Sequence, residues 1–386
     1  MKNQYNTINP KQKYTLKTSF VNRYTEMRFL YNWINQEPNY ILFMYGPKSS
    51  GKTTLLMKFI ESIITNKTFD IKHFNLRKML VSNYKDFIQS FFEIDFHRSK
   101  DDVKEKKEYN LKVFKLTKEI MKGLNNKEFD PFIVMDKELQ KLQKKGKRPI
   151  IIIDELQSLR DIYMNGQREL LKELFNFFVA ITKESHLCHV IVSCSDGYFM
   201  KRIYEDSYLT KTSEFFEVEY LNEQDIKHWL ANIETENDLV SFKLSDSQIE
   251  TIWKYLGGSI WEIYNTLSRL VLFAQKNKVI NDNDLMSVIQ RLIKMNAGRF
   301  NHYAGLYQNR FELLKHLYQL NEKHEECQER NFQDLITKGI YENKTLKEDL
   351  SNLVQLNFLA YNPITSFYKL QGKSMYYGLK EYIENM

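Results

Sequence analysis

Hydrophobic positions recur along this chain in two periods, and the switches between them predict its elements. Residues 24–36 place Met27, Leu30, Tyr31 and Ile34 at helical spacing, which predicts an amphipathic helix. The run Tyr40-Ile41-Leu42-Phe43-Met44-Tyr45 lacks polar alternation and reads as a strand buried on both faces. A glycine-bearing turn follows, then a strong helical pattern over 53–64 and a second strand over 71–76. Residues 82–148 read mainly as helix around a charged middle, with four lysines, two aspartates and one glutamate in 100–107. Such a stretch suits a solvated insertion. Pro149 opens another apolar strand, 150–153, ending in Asp154-Glu155; a helix over 167–183 and a strand over 188–193 follow. This alternation predicts a parallel sheet with helices on both faces.

The pattern turns helical around 217–221, which places the end of the sheet-bearing core near 220. Helices are predicted at 222–232, 245–256, 259–276 and 281–295, with Asn222 capping the first and Asp225 three residues later. Two further amphipathic stretches occupy 306–339, and a third helix covers 344–357. Residues 358–361 and 367–370 can pair as a hairpin across Asn362-Pro363-Ile364-Thr365-Ser366. Helices followed by a small hairpin fit a winged helix. Such domains can place their third helix in a DNA groove; here that helix mixes Lys344 and Lys347 with Glu348 and Asp349 and is no basic stripe.

Composition adds limits. Of the 386 residues 42% are hydrophobic, enough for a sizeable core, and aromatics reach 14% against 13 glycines and 6 prolines, which favours a mostly helical, well-packed protein. The net charge of +7 permits an acidic or nucleic-acid partner without selecting one. Cys188, Cys194 and Cys327 are too few for a disulfide framework, so a reducing, cytoplasmic setting is expected. Residues 1–20 are polar and Lys-rich, unlike a secretory signal, and no apolar run approaches the roughly 18–20 residues of a membrane span.

Chemistry is concentrated in Gly46-Pro47-Lys48-Ser49-Ser50-Gly51-Lys52-Thr53, which matches the P-loop pattern G-x-x-x-x-G-K-[ST]. Glycines let the backbone wrap a phosphate, and the helix that starts here offers free N–H groups and a favourable dipole. Lys52 is expected to reach the β- and γ-phosphates, Thr53 to hold magnesium, and Thr54 to line the same turn. Asp154, at the end of an apolar strand, can hold magnesium directly or through water, and Glu155 can orient and polarise an attacking water. Ser195 or Ser193, at the end of the next strand, can sense the γ-phosphate.

These motifs resemble the archaeal ATPase family, P-loop proteins related to the AAA+ and STAND ATPases. The resemblance is carried by Phe20-Val21-Asn22-Arg23-Tyr24-Thr25-Glu26, the P-loop, Ile153-Asp154-Glu155-Leu156-Gln157, Val192-Ser193-Cys194-Ser195 and Tyr255-Leu256-Gly257-Gly258. It implies an α/β P-loop NTPase core, a parallel sheet with helices on both faces, joined to an all-α lid and a small winged-helix-like C-terminal domain. The implied division is an arm at 1–20, the core at 21–220, the lid at 221–297 and the last domain at 298–386. It also implies adenine as the base and puts Asn22 and Arg23 on its side of the nucleotide. Asn22 stands where relatives often carry Gly or Asp, and Ser259-Ile260 where they often have Pro.

The expected activity is magnesium-dependent ATP hydrolysis that drives a switch in, or remodels, a macromolecular partner, protein or DNA; self-association is compatible with it. A DNA-binding regulator liganded by ATP is the alternative, with a P-loop kinase or a helicase behind it. Three other groupings carry less. His186, Cys188, His189 and Cys194 lack the paired spacing of a zinc site. Lys141, Lys144, Lys145, Lys147 and Arg148 read as a solvated helix end. Nothing selects between Arg168 and Arg202 as an arginine finger.

Overall fold

Strand β1 (Ile41–Tyr45) is buried at every position because strands flank it on both edges and helices cover both faces. The computed structural model describes residues 20–63, 68–94, 113–159, 162–164, 168–206, 209–233, 242–271, 273 and 280–386. With β2 (Phe69–Asn75), β3 (Arg148–Asp154), β4 (His189–Ser193) and β5 (Ser213–Glu217), β1 forms a five-stranded sheet of order β2-β3-β4-β1-β5, parallel throughout. Alternate side chains divide between two cores, as the pleat requires. Leu42, Met44, Ile150, Ile152 and Ile191 meet α1 (Tyr24–Asn35) and α2 (Lys52–Ile63). Ile41, Phe43, Ile151, Ile153 and Val192 meet the opposite layer, which includes α6 (Leu170–Val179).

The layer on that second face also holds α3 (Tyr84–Phe91), α4 (Lys118–Asn125) and α5 (Pro131–Lys144). The expectation of a mainly helical 82–148 misses one feature: Phe92–Ile94 and Phe114–Leu116 pair as short parallel strands, with Phe92 and Phe114 in register. The charged stretch 100–107 lies outside the described residues. Helix α6 begins later than expected, at Leu170, and its end widens into a π-helical turn, Ala180–Glu184.

Residues 217–221 do not start a helix. Ser213–Glu217 is an edge strand, and its successive aromatics face opposite ways: Phe215 stacks on Phe43 and Phe216 on Phe29, with ring centroids 5.4 and 4.5 Å apart. Glu214 and Glu217, on a half-covered edge, break the continuous apolar run that marked the inner strands.

Helix α7 (Gly197–Asp206) links β4 to β5, and beyond β5 come α8 (Glu223–Ala231), α9 (Asp246–Leu256), α10 (Ile260–Leu270) and α11 (Asp282–Gly305). Helix α11 does not stop at Met295, so the division expected at 297/298 falls inside a helix. Its first half packs Leu285, Ile289 and Ile293 into one core, and its second half packs Phe300 and Tyr303 into the next. The last core gathers α12 (Gln308–Asn321), α13 (Gln333–Thr337), α14 (Asn343–Gln355), α15 (Lys373–Glu384) and an antiparallel sheet of β6 (Glu326–Cys327), β7 (Leu359–Tyr361) and β8 (Tyr368–Leu370), with β8 in the middle. The β7–β8 hairpin is the one read from the sequence.

That hairpin is turned onto α7 and the end of β5. Gly197 of α7 packs so tightly on the Tyr361 carbonyl that a Cβ there would lie 2.0 Å from the oxygen. Lys201 donates to Tyr361 Oη at 3.0 Å and Ser366 Oγ at 2.8 Å, and Asn362 Nδ2 donates to Glu217 Oε1 at 3.3 Å. A buried polar joint ties α10 to α15: Ser374 Oγ donates to Glu262 Oε1 at 2.7 Å and accepts from Asn296 Nδ2 at 3.1 Å. Glu262 Oε2 is buried without a hydrogen-bond partner among the described residues. Burial raises this carboxyl to about 7, against the opposing pull of the Ser374 bond and the Arg299 charge.

A carboxyl whose pKa rises on folding contributes fully below its unfolded value, 4.5, and loses that contribution as pH climbs to about 7. Glu262→Gln keeps an acceptor for Ser374 and cannot ionise. Urea unfolding from about pH 5 to about pH 8 is expected to show a flatter stability profile in the Gln variant, by on the order of 1–3 kcal/mol. Parallel profiles would refute titration of Glu262 in that window.

Candidate functional site

Three strand ends converge where the sheet order departs from the chain order. Strand β4 lies between β1 and β3, and in register Ser193 pairs with Met44 on one side and Asp154 on the other. The C-terminal edge of a parallel sheet is where such folds bind ligands. Gly46 to Thr53 leaves β1 there and turns into α2, whose first turn carries no acidic residue to repel an anion.

Backbone geometry explains the residues of this loop. Gly46 has φ +148° and Gly51 φ +95°, and Ser49 also takes a positive φ of 64°. A Cβ on Gly46 would sit 2.2 Å from the Val218 carbonyl oxygen, so the close approach of the loop to the residue after β5 needs glycine. Lys52 is buried and donates to the loop's own Gly46 and Pro47 carbonyls at 2.9 and 2.8 Å. Burial lowers its ammonium to about 8, while Cys194, Glu155 and Asp154 pull the other way. Thr53 Oγ1 donates to Asp154 Oδ2 at 2.9 Å, joining the two residues expected to hold magnesium.

Glu155 has φ +64°, a conformation that a non-glycine residue adopts at a cost of roughly 1–2 kcal/mol. It projects its carboxylate toward the cavity, where Arg77 Nη2 bonds Oε1 at 2.5 Å and Gln157 Nε2 bonds Oε2. Gln157 in turn accepts from the Cys194 thiol at 2.9 Å. Arg77 comes from the turn after β2, the strand next to β3 in the sheet, and its side chain is 62% exposed.

A cavity of about 280 Å³ opens over the loop and Glu155. One end is polar, formed by Lys48, Ser49, Ser50, Gly51, Lys52, Thr53, Thr54, Arg77, Glu155 and Ser195. The other is apolar and aromatic, formed by Phe20, Val21, Leu221, Ile260, Trp261 and Tyr264. Ser195 thus reaches the cavity, whereas Ser193 Oγ is buried and lacks a partner among the described residues, as does Ser50 Oγ. The unpartnered Ser50 hydroxyl, a buried ammonium and a hydroxyl–carboxylate pair suit a phosphate chain with its magnesium. Arg23 lines the cavity but spends its donors on protein: Ser50 O at 2.7 Å, Glu219 O at 2.6 Å and Glu26 at 2.6 Å. Its guanidinium thus braces the loop from the cavity wall. Asn22 turns away altogether and donates to Asp225 Oδ1 of α8 at 2.6 Å.

The C-terminal module touches the loop directly. Gln371, buried just after β8, accepts from the Lys48 N–H at 2.9 Å, and Tyr220 Oη donates to the Lys48 carbonyl at 2.9 Å. Lys369 pairs with Glu219. A second cavity, about 260 Å³, opens between Lys48, Arg77, Gln157, Ser195 and Asp196 on one side and Val354, Gln355 and Asn357 on the other. Sequence reasoning missed Arg77, Gln371 and Tyr220 because each depends on sheet order or interdomain docking. The groupings set aside earlier are accounted for locally. His186 bonds the Pro38 carbonyl, Lys141 pairs with Glu138, Arg148 donates to the Ile34 carbonyl, and Arg202 stacks on Phe199. The Arg168 side chain lies outside the described residues.

Gly46→Ala is expected to force a methyl into the Val218 carbonyl, lowering stability by roughly 2–3 kcal/mol and abolishing ATP binding. Denaturant unfolding and calorimetric titration check both; unimpaired binding would remove the steric argument.

Known proteins match this arrangement. Residues 20–266 match the model of an ATPase domain found predominantly in archaea. An ATP-binding protein of Methanocaldococcus jannaschii is 32% identical over 95% of this chain and 99% of its own length. An ATP-binding protein of Pyrococcus abyssi is 28% identical over 95% and 99%. Among solved structures, a Walker-type ATPase of Pyrococcus abyssi superposes with TM-score 0.62 at 16% identity, covering 95% of this chain and 98% of that one, a likeness of fold. By the span of the domain match and the identity of its relatives, this chain belongs to the archaeal family of P-loop ATPases.

Proposed function

We propose that the chain binds ATP with magnesium at the β1–α2 loop, hydrolyses it, and uses the γ-phosphate to set the position of its C-terminal module on a macromolecular partner. The observation that carries this reading is the convergence, in one cavity, of the phosphate loop and the outward carboxylate of Glu155, with Asp154 buried behind Thr53 and bonded to its hydroxyl.

In this reading the loop N–H groups and Lys52 hold the phosphates and offset the charge that builds on them. Thr53 and Asp154 would hold magnesium, which supplies charge neutralisation at the phosphate oxygens. Glu155 accepts a proton from water as the water oxygen bonds the γ-phosphorus and the bond to the bridging oxygen of ADP breaks. Phosphate and ADP leave. Arg77 and Gln157 both occupy the Glu155 carboxylate, so the base is engaged until a phosphate or an activator draws Arg77 off. That supports slow basal turnover with a gain on activation.

The switch component rests on Gln371. Its bond to the Lys48 N–H joins the C-terminal module to the phosphate-binding loop itself. The reading as an ATP-liganded DNA regulator is less well supported, because the β7–β8 hairpin is engaged with Lys201 and Glu217 and is not free to enter a groove.

Steady-state phosphate release from ATP with magnesium tests the enzyme reading. Lys52→Ala is expected to abolish release, and Glu155→Gln to retain ATP binding while turnover falls about 100-fold or more. Wild-type turnover in Glu155→Gln would end the assignment of Glu155, and transfer of phosphate to a metabolite without free release would favour a kinase. Gln371→Ala is expected to raise basal turnover several-fold while costing about 1 kcal/mol of stability. Unchanged turnover in that variant would sever the module from the switch.

A further inference from the structure

Trp261 is anomalous among the four tryptophans of the chain. Trp33 and Trp229 are buried at 3% and 2% exposure, and Trp253 lies under the Lys373 ammonium, 4.1 Å from its ring centroid. Trp261 is 56% exposed and stands at the aromatic end of the phosphate-loop cavity. An indole left in water beside a cavity forgoes the burial that an aromatic side chain normally gains.

Its position is built, not incidental. Helix α10 starts at Ile260, one residue after Ser259 and two after Gly258. A Cβ on Gly258 would lie 1.9 Å from the Leu221 carbonyl oxygen, so the backbone that launches α10 is pressed against another residue of the same cavity. Gly257, at φ +57°, makes the turn that allows this. Trp261 and Tyr264, three residues apart, then share one helix face toward the cavity. The polar end of the cavity holds the phosphate-binding turn. Among the described residues the apolar end offers no free guanidinium, since Arg23 bonds Ser50, Glu219 and Glu26.

We propose that Trp261 is the base-recognition residue of this chain: its indole forms the stacking face for the purine ring of a bound nucleoside triphosphate. The proposal rests on reading the cavity as a nucleotide site. A flat indole rewards ring area, so a bicyclic base gains more than a single ring. Binding therefore favours purine over pyrimidine triphosphates, and stacking carries the preference.

The test is titration calorimetry on the full chain with magnesium, using ATP, CTP and inorganic tripolyphosphate, for wild type, Trp261→Ala and Trp261→Phe. Trp261→Ala is expected to weaken ATP about ten-fold or more, to leave tripolyphosphate within about two-fold, and to shrink the gap between ATP and CTP. Trp261→Phe should recover most of the ATP affinity. Retention of wild-type ATP affinity by Trp261→Ala would overturn the proposal while leaving the nucleotide site intact. Equal loss of tripolyphosphate would also overturn it, by showing that the residue supports the loop and not the base. Failure of wild type to bind either ATP or tripolyphosphate would overturn the nucleotide reading itself.

Discussion

One hydrogen bond, from Thr53 to Asp154, joins segments 101 residues apart, and the site depends on the sheet that makes it possible. Strand β4 must insert between β1 and β3 for the two strand ends to lie at the right separation. The continuous apolar character of these strands forces that burial, because each needs a strand on either edge and helices on both faces. Once the three strands are parallel and in register, the phosphate loop, the acidic pair and Ser195 emerge from the same edge.

The loop is held from several directions. Gly46 presses on Val218, Arg23 spans Ser50 and Glu219, and Gln371 and Tyr220 hold the N–H and the carbonyl of Lys48. These contacts come from the residues before α1, from the segment after β5 and from the C-terminal module. All of them bear on the backbone of the Gly46–Thr53 loop. The same segment, Glu219 to Leu221, runs under the start of α10, so the aromatic end of the cavity is fixed by the packing that braces the loop.

Helix α11 makes the remainder mechanically continuous. It contributes to two hydrophobic cores along its length, and α15 lies so close to it that Gly378 leaves no room for a Cβ beside Asn296. The Glu262–Ser374–Asn296 joint sits at the same junction. The joint ties the C-terminal module to α10, which carries Trp261 beside the cavity and Glu262 against Ser374.

The P-loop, the Asp154-Glu155 pair, the inner strands and the β7–β8 hairpin were legible in the residues alone. Each is written locally: glycines where φ is positive, apolar runs where a strand is buried twice, a turn between two short strands. Strand β5 was not legible, because an edge strand carries glutamates on its open side and loses the run that identifies its neighbours. The extension of α11 to Gly305 was missed because its apolar face changes partner midway and the pattern there reads as a boundary. Arg77 meets Glu155 only because β2 lies beside β3, and Gln371 meets Lys48 only because two modules dock. Local residue chemistry determined which groups can bind phosphate and magnesium; long-range packing decided what those groups face, since strand order and docking depend on surfaces brought together from distant parts of the chain.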